Sequence, residues 1–236
     1  VRAGVKNIEI PFDHILMATT YEMASKYGIK YIVSGGNLAG EGIMPEEYGY
    51  NARDLTHIKA IFKKFMGRKL KNLPVISLPK YLWYRFIKRI EIIQPLDFYE
   101  FRRDEAIKVL EKEYGWQTTG NKHEESIYTK WHMNFYLPKK FNLDKRRPHL
   151  SSMINSGQIT RAQALEELKK PLEYPELGCE EKVLSYPIHD HFDYPTNKWI
   201  WDGLSKIYAY LRWFSGIGTE GVKWNRPSVG VVRGFD

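Results

Sequence analysis

The chain is nearly without cysteine: Cys179 stands alone among 236 residues. One thiol excludes an intramolecular disulfide and any cysteine-rich metal centre, and it suits a reducing, cytoplasmic setting. Nothing approaches the roughly 18 consecutive apolar residues of a membrane-spanning helix, so no membrane insertion is expected. The opening VRAGVKNIEIPF lacks the apolar core of a signal peptide. Walker A loop, dinucleotide fingerprint, internal repeat and low-complexity run are absent as well. In excess are positive charge, with a formal net of +8, and aromatic residues, at 14%. A hydrophobic share of 43% makes the chain a folding one. Its basic balance attracts polyanions such as nucleotides, sugar diphosphates, nucleic acid or membrane surfaces, without choosing among them.

Hydrophobic periodicity and punctuation predict α/β organisation in the first half. Lys6 to Ile10 reads as a short strand, Ile15 to Tyr27 as a helix stopped by Gly28, and Lys30 to Val33 as a second strand. That strand runs into Ser34-Gly35-Gly36-Asn37, which places a Gly-rich turn at the carboxyl edge of a parallel sheet. Helices are expected over Asp54–Phe65 and Leu78–Arg89, the latter both aromatic and basic (LPKYLWYRFIKR). A strand over Ile90–Ile93 and an amphipathic helix over Arg103–Glu113, with Ala106, Ile107 and Leu110 inward, follow. Beyond Gly115 the pattern becomes helix after helix: about 122–137, 145–156, 160–169 and 198–213, with 171–197 irregular and the tail from Gly216 loose. Thr160 is the natural N-cap of the third of these. The start at Val1, without Met and on what reads as a helix end leading into a strand, suggests the later part of a longer protein.

Three constellations carry chemistry. In SGGNLAGEG (34–42), glycines let backbone N–H groups approach a phosphate or ribose, while Asn37 and Glu41 suit a ribose hydroxyl or magnesium; an ordinary tight strand-to-helix turn uses the same glycines. In Lys122-His123-Glu124-Glu125-Ser126, a base (His123 or Glu125) beside a cation is what general acid–base chemistry needs. Helical spacing puts Lys122, Glu125, Ser126 and Thr129 on one flank and Ile127, Tyr128, Trp131 and Phe135 on the core side. Acids at a helix's positive end with a paired lysine are the plainer account of that cluster. In Asp144 to Ser152, Lys145, Arg146, Arg147, His149, Ser151 and Ser152 suit phosphate oxygens; cations crowding a helix start are otherwise merely solvated. No metal site is expected at His189-Asp190-His191 and Asp193, which read as a loop.

Taken in order, SGGNLAGEGI, YGYNARDL, EYGW, GNKHEES and YLPKKFNLDKRRPHLSSMINSGQITRAQALEEL resemble the N-acetyl sugar amidotransferase family. These are PP-loop ATPases of the adenine nucleotide alpha-hydrolase-like superfamily. The resemblance runs from about Gly4 to Trp213; its most specific part is 139–161, and Gln94-Pro95-Leu96 after a strand is a second superfamily trace. The family's own SGGKDS loop and cysteine pairs lie upstream of the matched region, so only part of an ATP site is expected here.

The resemblance implies the later part of a Rossmann-like PP-loop domain over 1–113, a helical substrate-side region over 114–215 and a loose tail over 216–236. It implies a cytoplasmic enzyme of bacterial surface-polysaccharide or nonulosonic-acid synthesis. ATP, with Mg2+, would adenylate a sugar acetamido oxygen, and ammonia from a glutaminase partner would displace it to give an acetamidino group. Its substrate would be a nucleotide-sugar or nonulosonic acid. Ser34, Gly35, Gly36, Asn37 and Glu41 would then serve the cofactor and His123 or Glu125 the catalytic proton. Lys122, Ser126, Lys145, Arg146, Arg147, His149, Ser151 and Ser152 would hold substrate or phosphate, with Trp116 and Tyr128 as walls. Two other readings stay open: a tRNA-modifying PP-loop enzyme, suggested by the basic aromatic helix although nucleic acid is not the expected partner, and a non-catalytic piece that docks a glutaminase complex.

Overall fold

The computed structural model describes residues 1–45, 48, 50–70, 73–117, 124, 126–190 and 193–214. Helix α1 (Ile10–Lys26) begins with Pro11 in its first turn, where a missing N–H costs nothing. It packs behind β1 (Tyr31–Val33), which pairs in parallel with β2 (Glu91–Ile93) in the register Tyr31–Glu91, Ile32–Ile92, Val33–Ile93. Between the strands come α2 (Leu38–Glu41), α3 (Leu55–Met66) and α4 (Leu78–Leu82), the last continuing as a π-helical turn, Trp83–Ile87. Asp54 caps α3 by accepting from the Thr56 and His57 N–H groups, and Gly67 closes it in the left-handed conformation.

After β2, a 3-10 turn (Pro95–Asp97) leads to α5 (Arg103–Tyr114). One long helical rod follows: α6 (Ile127–Trp131), a π turn (His132–Tyr136) and α7 (Leu137–Phe141). Then come α8 (Arg146–Asn155), α9 (Arg161–Lys169), α10 (Glu180–Ser185) and α11 (Lys198–Phe214). Thr160 and Gln163 form a reciprocal capping box at α9. No helix among the described residues is long and apolar enough to cross a membrane.

The α/β reading holds in its coarse form, a parallel strand pair amid a mainly helical chain, and no larger Rossmann-like sheet is seen among the described residues. Lys6–Ile10 is not a strand: Ile8 and Ile10 are both buried, and Glu9 between them is the N-cap of α1. Leu110 and Ile127, expected inward, are exposed. The stretch 171–197 contains α10, held by Lys140, whose buried Nζ donates to the carbonyls of Val183 (2.8 Å) and Tyr186 (2.6 Å).

Among the described residues, two cores fix the frame. One gathers Ala18, Tyr21, Ala24, Ile76, Tyr84 and Ile90 behind the strands. The other joins Ala3, Val5 and Ile8 to Trp131, Phe135, Tyr136, Leu137, Val183 and Tyr194, so the first residues of the chain pack with its second half. Tyr136 and Tyr194 satisfy their hydroxyls on the carbonyls of Val5 and Ala3, each at 2.9 Å.

Candidate functional site: a cavity between the glycine-rich turn and α8

Backbone geometry delivers the glycine-rich turn to α8. The Ser34 N–H continues the ladder by donating to the Ile93 carbonyl at 2.8 Å, and the chain then leaves the sheet. Ser34 Oγ accepts from the Gly36 N–H at 3.2 Å, and Asn37 Oδ1 accepts from the Gly40 N–H at 2.7 Å, so both side chains shape the turn. The buried Asp97 carboxylate accepts from the Leu38 N–H at 2.8 Å and ties α2 to the turn after β2. A Cβ on Gly36 would come within 2.5 Å of Gln94 Nε2, so that amide would have to swing aside; on Gly35 it would meet nothing within 4 Å.

Helix α8 then grips α2. His149 Nδ1 donates to the Gly40 carbonyl at 3.2 Å, which puts its proton on that nitrogen. Ser156 Oγ donates to the Ala39 carbonyl at 2.9 Å, and Ser152 Oγ accepts from the Ile43 N–H at 2.9 Å while donating to the Pro148 carbonyl at 3.0 Å. Gln158, just beyond α8, accepts from the Arg103 N–H at 2.9 Å and so brings in the start of α5.

Together these elements line a partly open cavity of about 590 Å³. Gly35, Asn37, Glu41, Lys145, Arg146 and His149 line it, so two motifs separated by a hundred residues meet. Its apolar walls are Phe101, Met133, Leu150, Met153 and Ile159; Trp116 and Tyr128 are not among its lining residues. The size is that of a small-molecule pocket.

The cations divide by role. The Arg146 guanidinium forks onto Asp144, with Nη2 2.7 Å from Oδ2, and its Nη1 also donates to the carbonyls of Glu167 (3.1 Å) and Lys170 (2.9 Å). It is a clamp between the start of α8 and the end of α9, satisfying carbonyls that a helix terminus leaves open. Arg147 is exposed and off the cavity lining, and Ser151 is half-buried and also off it. Ser152 is fully buried, its hydroxyl accepting from Ile43 N–H and donating to the Pro148 carbonyl inside the fold. Lys145 lines the cavity from the N-cap of α8. Ser126 Oγ caps α6 by accepting from the Thr129 N–H at 3.3 Å. Lys122, His123 and Glu125 lie outside the described residues.

Sequence reasoning missed the polar residues of the long rod. Asn134, in its π turn, lines the cavity and donates to the Glu173 carbonyl at 2.8 Å and to Glu124 at 3.3 Å. A buried amide within an apolar run was the available signal. Beside it, Glu9 accepts from Thr129 Oγ1 at 2.6 Å and meets His132 Nδ1 at 3.0 Å, while His132 Nε2 lies 2.8 Å from the Lys6 carbonyl. Burial works to raise the Glu9 carboxyl, but the hydrogen bonds from His132 and Thr129, with the charges of His132 and Lys145, hold it below its ordinary value. Lys145 thus lines the cavity while its charge is also felt by Glu9.

Fold and site define an α/β, mainly helical chain with a partly open cavity of small-molecule size, lined by charged, polar and apolar side chains. Residues 125–188 match the family model described as "LPS biosynthesis protein WbpG-like, C-terminal domain". The match holds α8 and the rod with Asn134, and it agrees with the resemblance to the C-terminal portion of the sugar amidotransferases. It covers less than half of the chain and does not reach the glycine-rich turn. No curated protein and no solved structure matches.

Proposed function

We propose that the chain belongs to a cytoplasmic biosynthetic enzyme of lipopolysaccharide assembly that converts a sugar acetamido group to an acetamidino group at the expense of ATP. The observation that supports this reading is the hydrogen-bonded union of the glycine-rich turn with α8 around one cavity, α8 itself lying in the segment that matches a lipopolysaccharide-biosynthesis family. The cavity offers cations (Arg103, Lys145, Lys170), carboxylates (Glu41, Asp104, Glu167) and amides (Asn37, Asn134, Gln158), a mixture suited to a ligand with both anionic and neutral polar groups.

The chemistry of these donors fits a nucleotide in part. Gly35 leaves its backbone open to the cavity, and Lys145 supplies a compact positive charge for phosphate oxygens. Glu41 and Asp104 are the carboxylates available to magnesium, which takes one or two such ligands and otherwise phosphate oxygens and water. Among the described residues no group of three His, Cys, Asp or Glu side chains could hold a metal without them. In the proposed reaction the acetamido oxygen would take the adenylyl group of ATP with release of pyrophosphate, and ammonia from a glutaminase partner would then attack the activated carbon and expel AMP with that oxygen. The chain's own part is to orient the acetamido sugar, neutralise phosphate charge through Lys145 and exclude the water that competes with ammonia. His123 or Glu125 takes the proton of the attacking amine.

The test is AMP release by the full-length protein with ATP, ammonia and candidate nucleotide-linked acetamido sugars. Release that requires both sugar and ammonia, and that falls about 100-fold in Lys145→Ala, is expected. Absence of sugar-dependent AMP release, or a full rate in the variant, removes the proposal.

A further inference from the structure

The basic aromatic helix Leu78–Ile87 takes no part in the cavity, and its outer face is unusual. Three large apolar side chains stand out from it: Trp83 is 41% exposed, Phe86 71% and Ile87 69%. The π turn produces this grouping, since the bond from Lys88 N–H to the Trp83 carbonyl (3.0 Å) spans five residues and widens the coil. Beneath, Tyr84 is buried and stacks on Tyr21 with ring centroids 5.6 Å apart, so the helix is anchored on α1 and its outer face cannot turn inward.

Cations frame the apolar group. Lys88 Nζ sits 4.8 Å from the Trp83 ring centroid, Lys80 and Arg89 are exposed, and Lys30 Nζ donates to the Lys88 carbonyl at 2.8 Å. The acids nearby are Glu22, 3.9 Å from Lys80, and Glu91 on β2. The balance of the helix and its flanks is therefore positive, as is that of the whole chain, at +8.

We propose that this face is an interfacial docking surface for a bilayer containing anionic phospholipid: Trp83, Phe86 and Ile87 enter the headgroup boundary while Lys80, Lys88 and Arg89 meet lipid phosphates. An amphipathic helix with aromatic and aliphatic residues on one side and lysine and arginine around them has this chemistry. Single-stranded RNA fits the surface less well. Bases stack on open aromatic faces, whereas Trp83 is covered by the Lys88 ammonium and flanked by Tyr84 at 5.3 Å, and Ile87 has no π face. Hydrocarbon accepts all three apolar side chains equally.

The experiment is flotation of the full chain with vesicles of phosphatidylcholine alone or mixed with phosphatidylglycerol, at low and high salt. The chain should float with the mixed vesicles, weakly or not at all with neutral ones, and less at high salt. The double change Phe86→Ser/Ile87→Ser should lower partition about tenfold or more. Lys88→Gln and Arg89→Asn should each lower it about fivefold; asparagine tolerates the positive φ of 54° at position 89. All these side chains are at the surface, and thermal melts and circular dichroism of each variant establish that the fold is retained. Ile87→Ser alone serves if the double variant does not fold. Failure to float with anionic vesicles, flotation undiminished in the folded variants, or tight RNA binding in place of vesicle binding overturns the proposal.

Discussion

Acidification from pH 7 to pH 5 is expected to destabilise the chain through His57. Its ring is 1% exposed, 4.5 Å from the Tyr50 ring and 5.9 Å from that of Tyr194. Burial drives its pKa down from 6.5 to about 4, against the opposing pull of the Asp54 charge. The folded state therefore holds the neutral imidazole, while the unfolded chain takes up a proton near 6.5. Stability from this group is fully present above 6.5 and is lost as the pH falls toward 4. The linkage amounts to about 2 kcal/mol between pH 7 and pH 5. His14 pushes in the same direction, since burial lowers its pKa too while its Nδ1 is committed to the Ala52 carbonyl (2.7 Å) and its Nε2 accepts the Ile76 N–H (3.2 Å). The measurement is urea unfolding at both pH values, followed by tryptophan fluorescence, for the parent chain and for His57→Gln and His57→Phe. Each variant should lose about 2 kcal/mol less than the parent over that interval, whatever its stability at pH 7. Equal losses in parent and variants would refute the reasoning, and a ring that titrates near 6.5 by NMR would refute it directly.

Gly4→Ala should cost more than about 2 kcal/mol: Gly4 has φ +61°, and a Cβ there would lie 1.9 Å from the Pro187 carbonyl oxygen, part of a backbone that cannot swing aside. Thermal unfolding checks this, and a melting temperature like the parent's would count against the packing of the first residues on the 187–189 segment. Arg146→Ala should lower stability by about 2–4 kcal/mol, because it strands Asp144 and the carbonyls at the end of α9. Denaturant unfolding of Arg146→Ala beside Lys145→Ala reads the difference; comparable losses in the two would erase the division drawn between them.

What the sequence made legible follows from how local each determinant is. Helix α3 was readable because Asp54 and Gly67 mark its two ends, and α9 because Thr160 and Gln163 cap each other. Lys6–Ile10 looked like a strand because its isoleucines alternate with polar residues, yet Glu9 is committed to Thr129 and His132, more than a hundred residues on. The long rod defeated period counting for a geometric reason. A π turn inserts an extra residue into the coil, so His132 through Tyr136 are all buried while Ile127, assigned to the core by the 3.6 period, is exposed. In the site, residue types were readable but allegiances were not. Nothing in the run Asp144 to Arg147 distinguishes Arg146, spent on α9, from Lys145 at the cavity.

That difference bears on how the site works. An arginine fork suits both a phosphate and the ragged end of a helix, and here α9 takes it, with Asp144 closing the fork. The cavity's shape therefore depends on residues that need never touch a ligand: Arg146 fixes the end of α9, Ser152 and Ser156 fix α2, and Asp97 fixes the turn that leads into it. Each holds a backbone group rather than a side chain, so the glycine-rich turn is set by main-chain bonds that tolerate change in what lines the pocket. Among the cavity-lining positions, Asn134 shares in that frame through the Glu173 carbonyl, while Glu41 and Lys145 line the cavity beside it. On the proposed function, the positioning needed for chemistry on a poor leaving group would reside in this frame.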